Sequence, residues 1–204
     1  MIRRIPIIPT LIVLAAVAVM VRLGFWQLDR LGQKEALIER LRANAGNSVA
    51  VAYPLSSTAA QPLLYRRSMV DCSSAADWQS VSGRNAQGQD GWVHIVRCPI
   101  AKGRTADVVA GWSRGLVKPQ WTGGAVTGYV SPGGKAGTRL VADPPLAGLI
   151  ANARPDPASL SNNHLSYAAQ WFLFALTALV IYALALRKRL AQSSPERGGG
   201  SPQD

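Results

Sequence analysis

Hydrophobic positions are concentrated in two stretches, Ile5–Leu23 near the amino end and Ala168–Leu186 near the carboxyl end. A hydrocarbon core about 30 Å thick needs roughly 20 helical residues, and both stretches approach that length. The only charged side chain in either stretch is that of Arg22, at the end of the first one. Because lipid offers no hydrogen-bond partner to a backbone amide, a spanning segment has to be helical. The pattern therefore predicts two transmembrane helices.

Each stretch has an alternative interpretation. The first could be a cleaved signal peptide that begins with Arg3 and Arg4. It is long for that role, no small-residue cleavage site follows it, and it continues directly into Gly24–Leu31. The second could be a buried core helix, but its apolar run is uninterrupted and ends in the basic segment Arg187–Arg189. Transmembrane helices remain the favoured prediction.

Between the two stretches the periodicity changes twice. Apolar residues recur at helical spacing up to Ala43, which predicts that the first helix extends beyond the membrane. Short runs rich in Val, Ile, Tyr and Trp follow, separated by Gly, Pro, Asn and Ser turns, which predicts an antiparallel β-rich domain, either a sandwich or a partly open barrel. The predicted layout is a cytoplasmic amino terminus 1–4, a span 5–27, a helical extension 28–45, a β-rich domain 46–161, a second span 164–186 and a disordered tail 187–204.

The charge distribution predicts the orientation of the chain. Its net charge is +11, and six of its basic residues lie in the two short tails: Arg3, Arg4, Arg187, Lys188, Arg189 and Arg197. Positive residues in short flanks remain in the cytoplasm, so both termini are predicted to be cytoplasmic and the central domain to be outside. The remaining basic residues are scattered among acids without a basic stripe, and nucleic-acid binding is therefore disfavoured.

The two cysteines, Cys72 and Cys98, both fall in the predicted outer domain. An oxidising compartment permits a disulfide there, which would stabilise the fold by roughly 3 kcal/mol. Two unpaired thiols are the alternative. The spacing matches no zinc pattern and no C-x-x-C motif.

The central domain lacks a constellation of catalytic residues. It contains no G-x-S-x-G, H-E-x-x-H or P-loop pattern, and its aspartates are dispersed beside turns. His94 lies within a predicted strand, where an ordinary sheet residue is the favoured interpretation. The sequence therefore predicts a protein that is not an enzyme.

The segment that opens the second apolar stretch is the most informative one. Asn162 or Asn163 can cap the helix, which places His164 in the first turn. Tyr167 and Trp171 follow on the same face. A neutral imidazole can ligate haem iron, and the two aromatic rings beneath it suit a flat, apolar macrocycle. The alternative is an ordinary aromatic belt at the membrane interface.

Both ends of the chain resemble the Surf1 family of cytochrome c oxidase assembly proteins. At the amino end, Gly24–Leu31 with Lys34 is similar to the family's G-x-W-Q-x-x-R-x-x-x-K pattern. At the carboxyl end, Asn162–Phe172 is similar to N-N-H-L-x-Y-A-x-x-W-F. Two departures mark a divergent member: Ala110 stands where the family has an arginine before Gly-Trp, and Ser161 replaces a proline.

The resemblance implies a helper in oxidase assembly. The absence of an Arg-rich, acid-poor presequence favours a bacterial inner membrane, and the predicted orientation then makes the central domain periplasmic. The implied partners are oxidase subunit I, other assembly factors and membrane lipid. Some members of the family are thought to bind haem a, which implies transient binding here with His164 as an axial iron ligand. The implied site is completed by Tyr167, Trp171, Trp26 and Gln27 at the outer ends of the two helices. The alternative is a membrane scaffold or chaperone for subunit I that binds no haem itself.

Overall fold

The structure is a computed structural model that describes residues 6–100, 103–134 and 137–192. The predicted amino terminus 1–4 and residues 193–204 of the predicted disordered tail 187–204 lie outside this range, whereas residues 187–192 of that tail are helical. The helices and strands are α1 (Ile7–Gly46), β1 (Val51–Ala52), α2 (Ser57–Ala60), β2 (Arg67–Cys72), β3 (Ala76–Arg84), β4 (Asp90–Ile100), β5 (Arg104–Ser113), β6 (Gly124–Pro132), β7 (Thr138–Ala142) and α3 (His164–Gln192). Single turns of 3₁₀-helix occupy Gln61–Leu63 and Pro157–Ser159.

The chain divides into two compact units. The helical unit comprises the chain up to Glu35 and from Asn162 onward, and the sheet unit comprises Ala36–Ser161. In the helical unit, α1 and α3 are long and apolar enough to cross a membrane, judged by length and composition. Only 6% of the most apolar stretch of each helix is buried. The core helix of a soluble protein would instead be mostly buried.

The sheet unit contains one mixed seven-stranded sheet in the order β1-β2-β6-β7-β5-β4-β3. Its strand pairs are antiparallel except for β1 with β2 and β5 with β7, which are parallel. The predicted antiparallel sheet was therefore wrong in these two places, and a single sheet is not a two-sheet sandwich. The alternation of apolar residues reports which face a side chain occupies. It does not report strand direction. The direction of β7, which lies between β5 and β6, depends on the path of the chain that connects β6 to β7.

The core of the sheet unit lies on one face of the sheet. It is formed by alternate residues of five strands: Val70, Cys72, Val96, Cys98, Ala106, Val108, Ala110, Val126, Leu140 and Ala142. The sulfurs of Cys72 in β2 and Cys98 in β4 are bonded, with their Cα atoms 5.2 Å apart. Three strands separate β2 from β4 in the sheet order. The sheet therefore rolls around its core in the manner of an opened barrel.

A smaller cluster fixes the last turns of α1 within the sheet unit. Leu41 packs with Leu64, Tyr65 and Val130, all of them buried. The side-chain amide of Asn44 donates to the carbonyl oxygens of Pro62 and Leu64, at 2.9 and 3.0 Å. These bonds satisfy two carbonyls of the turn that leads into β2, as buried backbone groups require.

Candidate functional site

The helical unit is an antiparallel pair of helices. The hydroxyl groups of Thr10 and Tyr182 are in contact, and Gln27 contacts His164, so the start of α1 meets the end of α3. Shielded positions recur every three or four residues along both helices, as expected for a helix–helix seam. On α1 these positions include Thr10, Val13, Val17, Gly24 and Gln27, and on α3 His164, Ala168, Phe172, Ala175 and Tyr182.

Glycine is required at the point of closest approach. A Cβ atom on Gly24 would lie 2.6 Å from Cε1 of Phe172, closer than carbon atoms can pack. Phe25 then packs edge-on against the same ring, with centroids 5.5 Å apart and planes at 77°. Small residues allow two helices to approach closely in this way, and aromatic pairs favour an edge-to-face arrangement. This contact fixes the register of the two helices one turn from Gln27.

The polar centre of the site is the pair Gln27–His164. Nδ1 of His164 lies 2.7 Å from Oε1 of Gln27. A carboxamide oxygen only accepts hydrogen bonds, so Nδ1 carries the proton and donates it. In a neutral imidazole the other nitrogen then holds a lone pair. Among the described residues Nε2 of His164 has no hydrogen-bond partner, and it is therefore available to a ligand.

The chain enters α3 immediately before this histidine. The amide of Tyr167 donates to the carbonyl oxygen of Asn163 at 3.2 Å, which closes the first helical turn. The Oδ1 atom of Asn162 is buried and accepts no hydrogen bond from the described part of the chain. Two acceptor atoms beside the start of α3, Oδ1 of Asn162 and Nε2 of His164, are thus left without a donor.

The structure brings together only part of the predicted set. Gln27 and His164 are bonded. Trp171 packs instead against Phe174, with centroids 6.1 Å apart and planes at 89°. Trp26 and Tyr167 are 46% and 49% exposed. Sequence reasoning missed the role of Gly24 in the seam, although a glycine inside an apolar helix is a signal of close packing.

The second histidine has a different environment, within the sheet unit. His94 of β4 is fully buried, with Nδ1 2.9 Å from Oγ of Ser80 and Nε2 2.6 Å from Oγ of Ser113. The hydroxyl of Ser113 donates in turn to the carbonyl oxygen of Gly115 at 2.6 Å. Burial lowers the pKa of His94, because a charged imidazole is poorly solvated there. Both ring nitrogens are hydrogen-bonded, so this histidine links strands β3, β4 and β5.

Comparison with known proteins places both units in one family. The SURF1 family model matches residues 14–176, a range that begins in α1, includes the whole sheet unit and ends in α3. No curated protein matches the chain. SURF1 proteins are assembly factors of cytochrome c oxidase rather than enzymes. Since the match covers most of the chain, including Gln27 and His164, the protein belongs to the SURF1 family.

Proposed function

We propose that this SURF1 protein assists cytochrome c oxidase assembly by binding haem a through Nε2 of His164. The observation that carries the proposal is the 2.7 Å hydrogen bond between Nδ1 of His164 and Oε1 of Gln27. Histidine ligands in metalloproteins generally donate their second ring N–H to an oxygen, which fixes the tautomer and the direction of the ring. Gln27 supplies that oxygen.

The residues present fit an iron porphyrin. Bound haem a would supply an iron atom that a neutral imidazole nitrogen can ligate. His164 offers that nitrogen as a neutral imidazole, and the exposed rings of Trp26 and Tyr167 offer apolar surface beside it. Oδ1 of Asn162 remains as an acceptor for a polar substituent. Within the described residues no three His, Cys, Asp or Glu side chains cluster as a metal site, and His164 is the one protein ligand that the proposal names.

The proposal also includes a location. We place α1 and α3 across a bacterial inner membrane, with both termini in the cytoplasm and the sheet unit in the periplasm. The support is the exposed apolar surface of both helices together with the basic residues Arg187–Arg189 at the end of the second apolar stretch. The proposed partners are oxidase subunit I and other assembly factors.

The test separates ligation from hydrogen bonding. The full chain is purified in detergent from cells that make haem a, and its haem content and Soret band are recorded. His164→Asn keeps an amide N–H near the position of Nδ1 but offers no ligand nitrogen, so we expect haem to be lost. Gln27→Ala should weaken haem affinity by about tenfold or more, the usual range for losing such a supporting bond, and should therefore lower haem content. Gln33→Ala, on the exposed side of the same helix, is the matched control and should retain haem.

A scaffold that binds no haem is the second candidate. The observation that favours it is the completeness of the seam without a ligand, since Gly24, Phe172, Gln27 and His164 already contact one another in pairs. In that case His164→Asn, which preserves the bond to Gln27, would support oxidase assembly as well as the unmodified chain does. Unchanged haem content in His164→Asn and His164→Ala would rule out ligation by this residue.

A further inference from the structure

The outer face of the sheet, opposite the core, contains a cavity of about 250 Å³. Its floor is formed by strands β3, β4, β5 and β7, and the chain from Asn152 to Pro155 forms one wall. Four valines face it, one from each strand: Val81, Val93, Val109 and Val141. Such β-branched side chains form a rigid apolar surface that an extended chain can pack against.

A buried amide in this cavity has no partner. Asn152 is 9% exposed, and its Nδ2 and Oδ1 atoms are both buried without a hydrogen bond in the described part of the chain. A buried polar group left unbonded is costly, and such exceptions in native proteins usually have a cause. Because the carboxamide needs one acceptor and one donor side by side, its natural complement is another amide, such as a peptide group.

A cation in the same cavity is also unpaired. The Nε atom of Arg139 is buried without a hydrogen bond, and the arginine makes no ion pair with any described residue. Other arginines around the cavities of this face are paired, Arg84 with Asp90 at 3.0 Å and Arg154 with Asp143 at 3.1 Å. No acidic residue is found among the described residues that line this cavity, and two aspartates, Asp77 and Asp107, line the adjoining cavity that Arg139 also borders. An unpaired guanidinium beside apolar walls selects a carboxylate.

We propose that this cavity binds an extended peptide segment of a partner protein that carries an acidic side chain between apolar residues. The carboxamide of Asn152 pairs with a peptide group of the segment, Arg139 pairs with its carboxylate, and the valines contact the flanking apolar side chains. The site lies entirely within the sheet unit, and it does not depend on haem binding by His164.

The test uses the full chain in detergent and an array of terminally blocked pentapeptides. Each peptide has Glu or Asp at its centre, flanked by Val, Ile, Leu or Ala, and each is paired with the same peptide carrying Gln or Asn. The best acidic peptide is then measured by calorimetry. We expect its amide counterpart to bind at least about tenfold more weakly, since a hydrogen bond to a charged group is lost.

Three variants identify the site. Asn152→Leu and Arg139→Gln should each weaken the best peptide by about tenfold or more. Arg104→Gln removes the same charge from an exposed position outside the cavity and should leave the binding unchanged. Asn152→Leu should also raise the melting temperature of the peptide-free protein, because it removes an unsatisfied buried amide. A merely structural Asn152 would lower it.

The proposal is overturned if no acidic peptide exceeds its amide counterpart, or if the three variants bind alike. Glutarate, a small dicarboxylate without peptide groups, is measured in the same way. If its affinity equals that of the best peptide, the assignment to a peptide is overturned and the cavity is a site for small acids. If the cavity holds only ordered water, neither the peptides nor glutarate bind, and the proposal is overturned.

Discussion

The helical unit and the sheet unit each contain one histidine, and the two differ in how their ring nitrogens are bonded. His94 bonds Ser80 through one nitrogen and Ser113 through the other, inside a closed core. His164 bonds Gln27 through Nδ1 and leaves Nε2 without a partner among the described residues. A histidine bonded on both sides serves the fold, whereas one that is oriented on one side and open on the other can bind a ligand. The two histidines therefore differ in their bonding, and of the two only His164 has a ring nitrogen without a hydrogen-bond partner among the described residues.

The largest expected effect concerns the covalent link in the sheet unit. Changing Cys72 and Cys98 together to Ser should lower the stability of that unit by about 3 kcal/mol, because the unfolded loop between them is no longer closed. Hydrogen exchange followed by mass spectrometry should show the loss in β5, while α3 is unaffected. The chain treated with reductant is the control and should behave like the double variant. Equal loss of protection in both units would contradict the division between them.

His94→Ala is the second test and addresses the comparison directly. It leaves a cavity and two serine hydroxyls without their partner, for an expected loss of about 2–3 kcal/mol from the sheet unit. His164→Ala is its counterpart in the helical unit. It should leave the exchange rates of the sheet unit unchanged. If both variants destabilise the sheet unit to the same extent, the two histidines do not have separate roles.

The third prediction concerns the helix seam. Gly24→Ala should destabilise the pairing of α1 and α3 by about 1–2 kcal/mol, because the new methyl group would displace the ring of Phe172. Gly32→Ala in the same helix meets no atom within 4 Å. It should stabilise the helix by about 0.5–1 kcal/mol through helix propensity alone. Unfolding by titration with sodium dodecyl sulfate measures both, and effects of the same sign would contradict the proposed close approach.

The smallest effect concerns pH. Burial lowers the pKa of His94 in the folded state, so at acidic pH the unfolded chain binds the proton more readily. The stability of the sheet unit should therefore be constant above the ordinary histidine pKa of about 6.5 and fall below it, by less than about 1 kcal/mol at pH 6. Melting temperatures between pH 8 and pH 5 measure the change. His94→Gln should flatten this dependence, while a dependence that persists in it would assign the proton to another group.

The sequence was sufficient to predict the apolar helices, because a long apolar run has few other outcomes. It also predicted that Gln27 and His164, which lie in family motifs 137 residues apart, share the outer ends of the two helices, and the helix pair brings them into contact. It could not predict the parallel pairing of β5 with β7, since strand direction depends on long-range connections. Nor could it identify the unbonded state of Asn152, because a missing hydrogen bond leaves no trace in composition or periodicity.

The bond between Cys72 and Cys98 has a further consequence for the edge of the sheet. Strand β3 is an edge strand, and edge strands present backbone groups with which another chain can pair. The whole of β3, from Ala76 to Arg84, lies inside the covalent loop that the two cysteines close. Both ends of that loop are held to the same molecule, so β3 cannot be exchanged freely with a second copy. The disulfide therefore opposes domain swapping through β3.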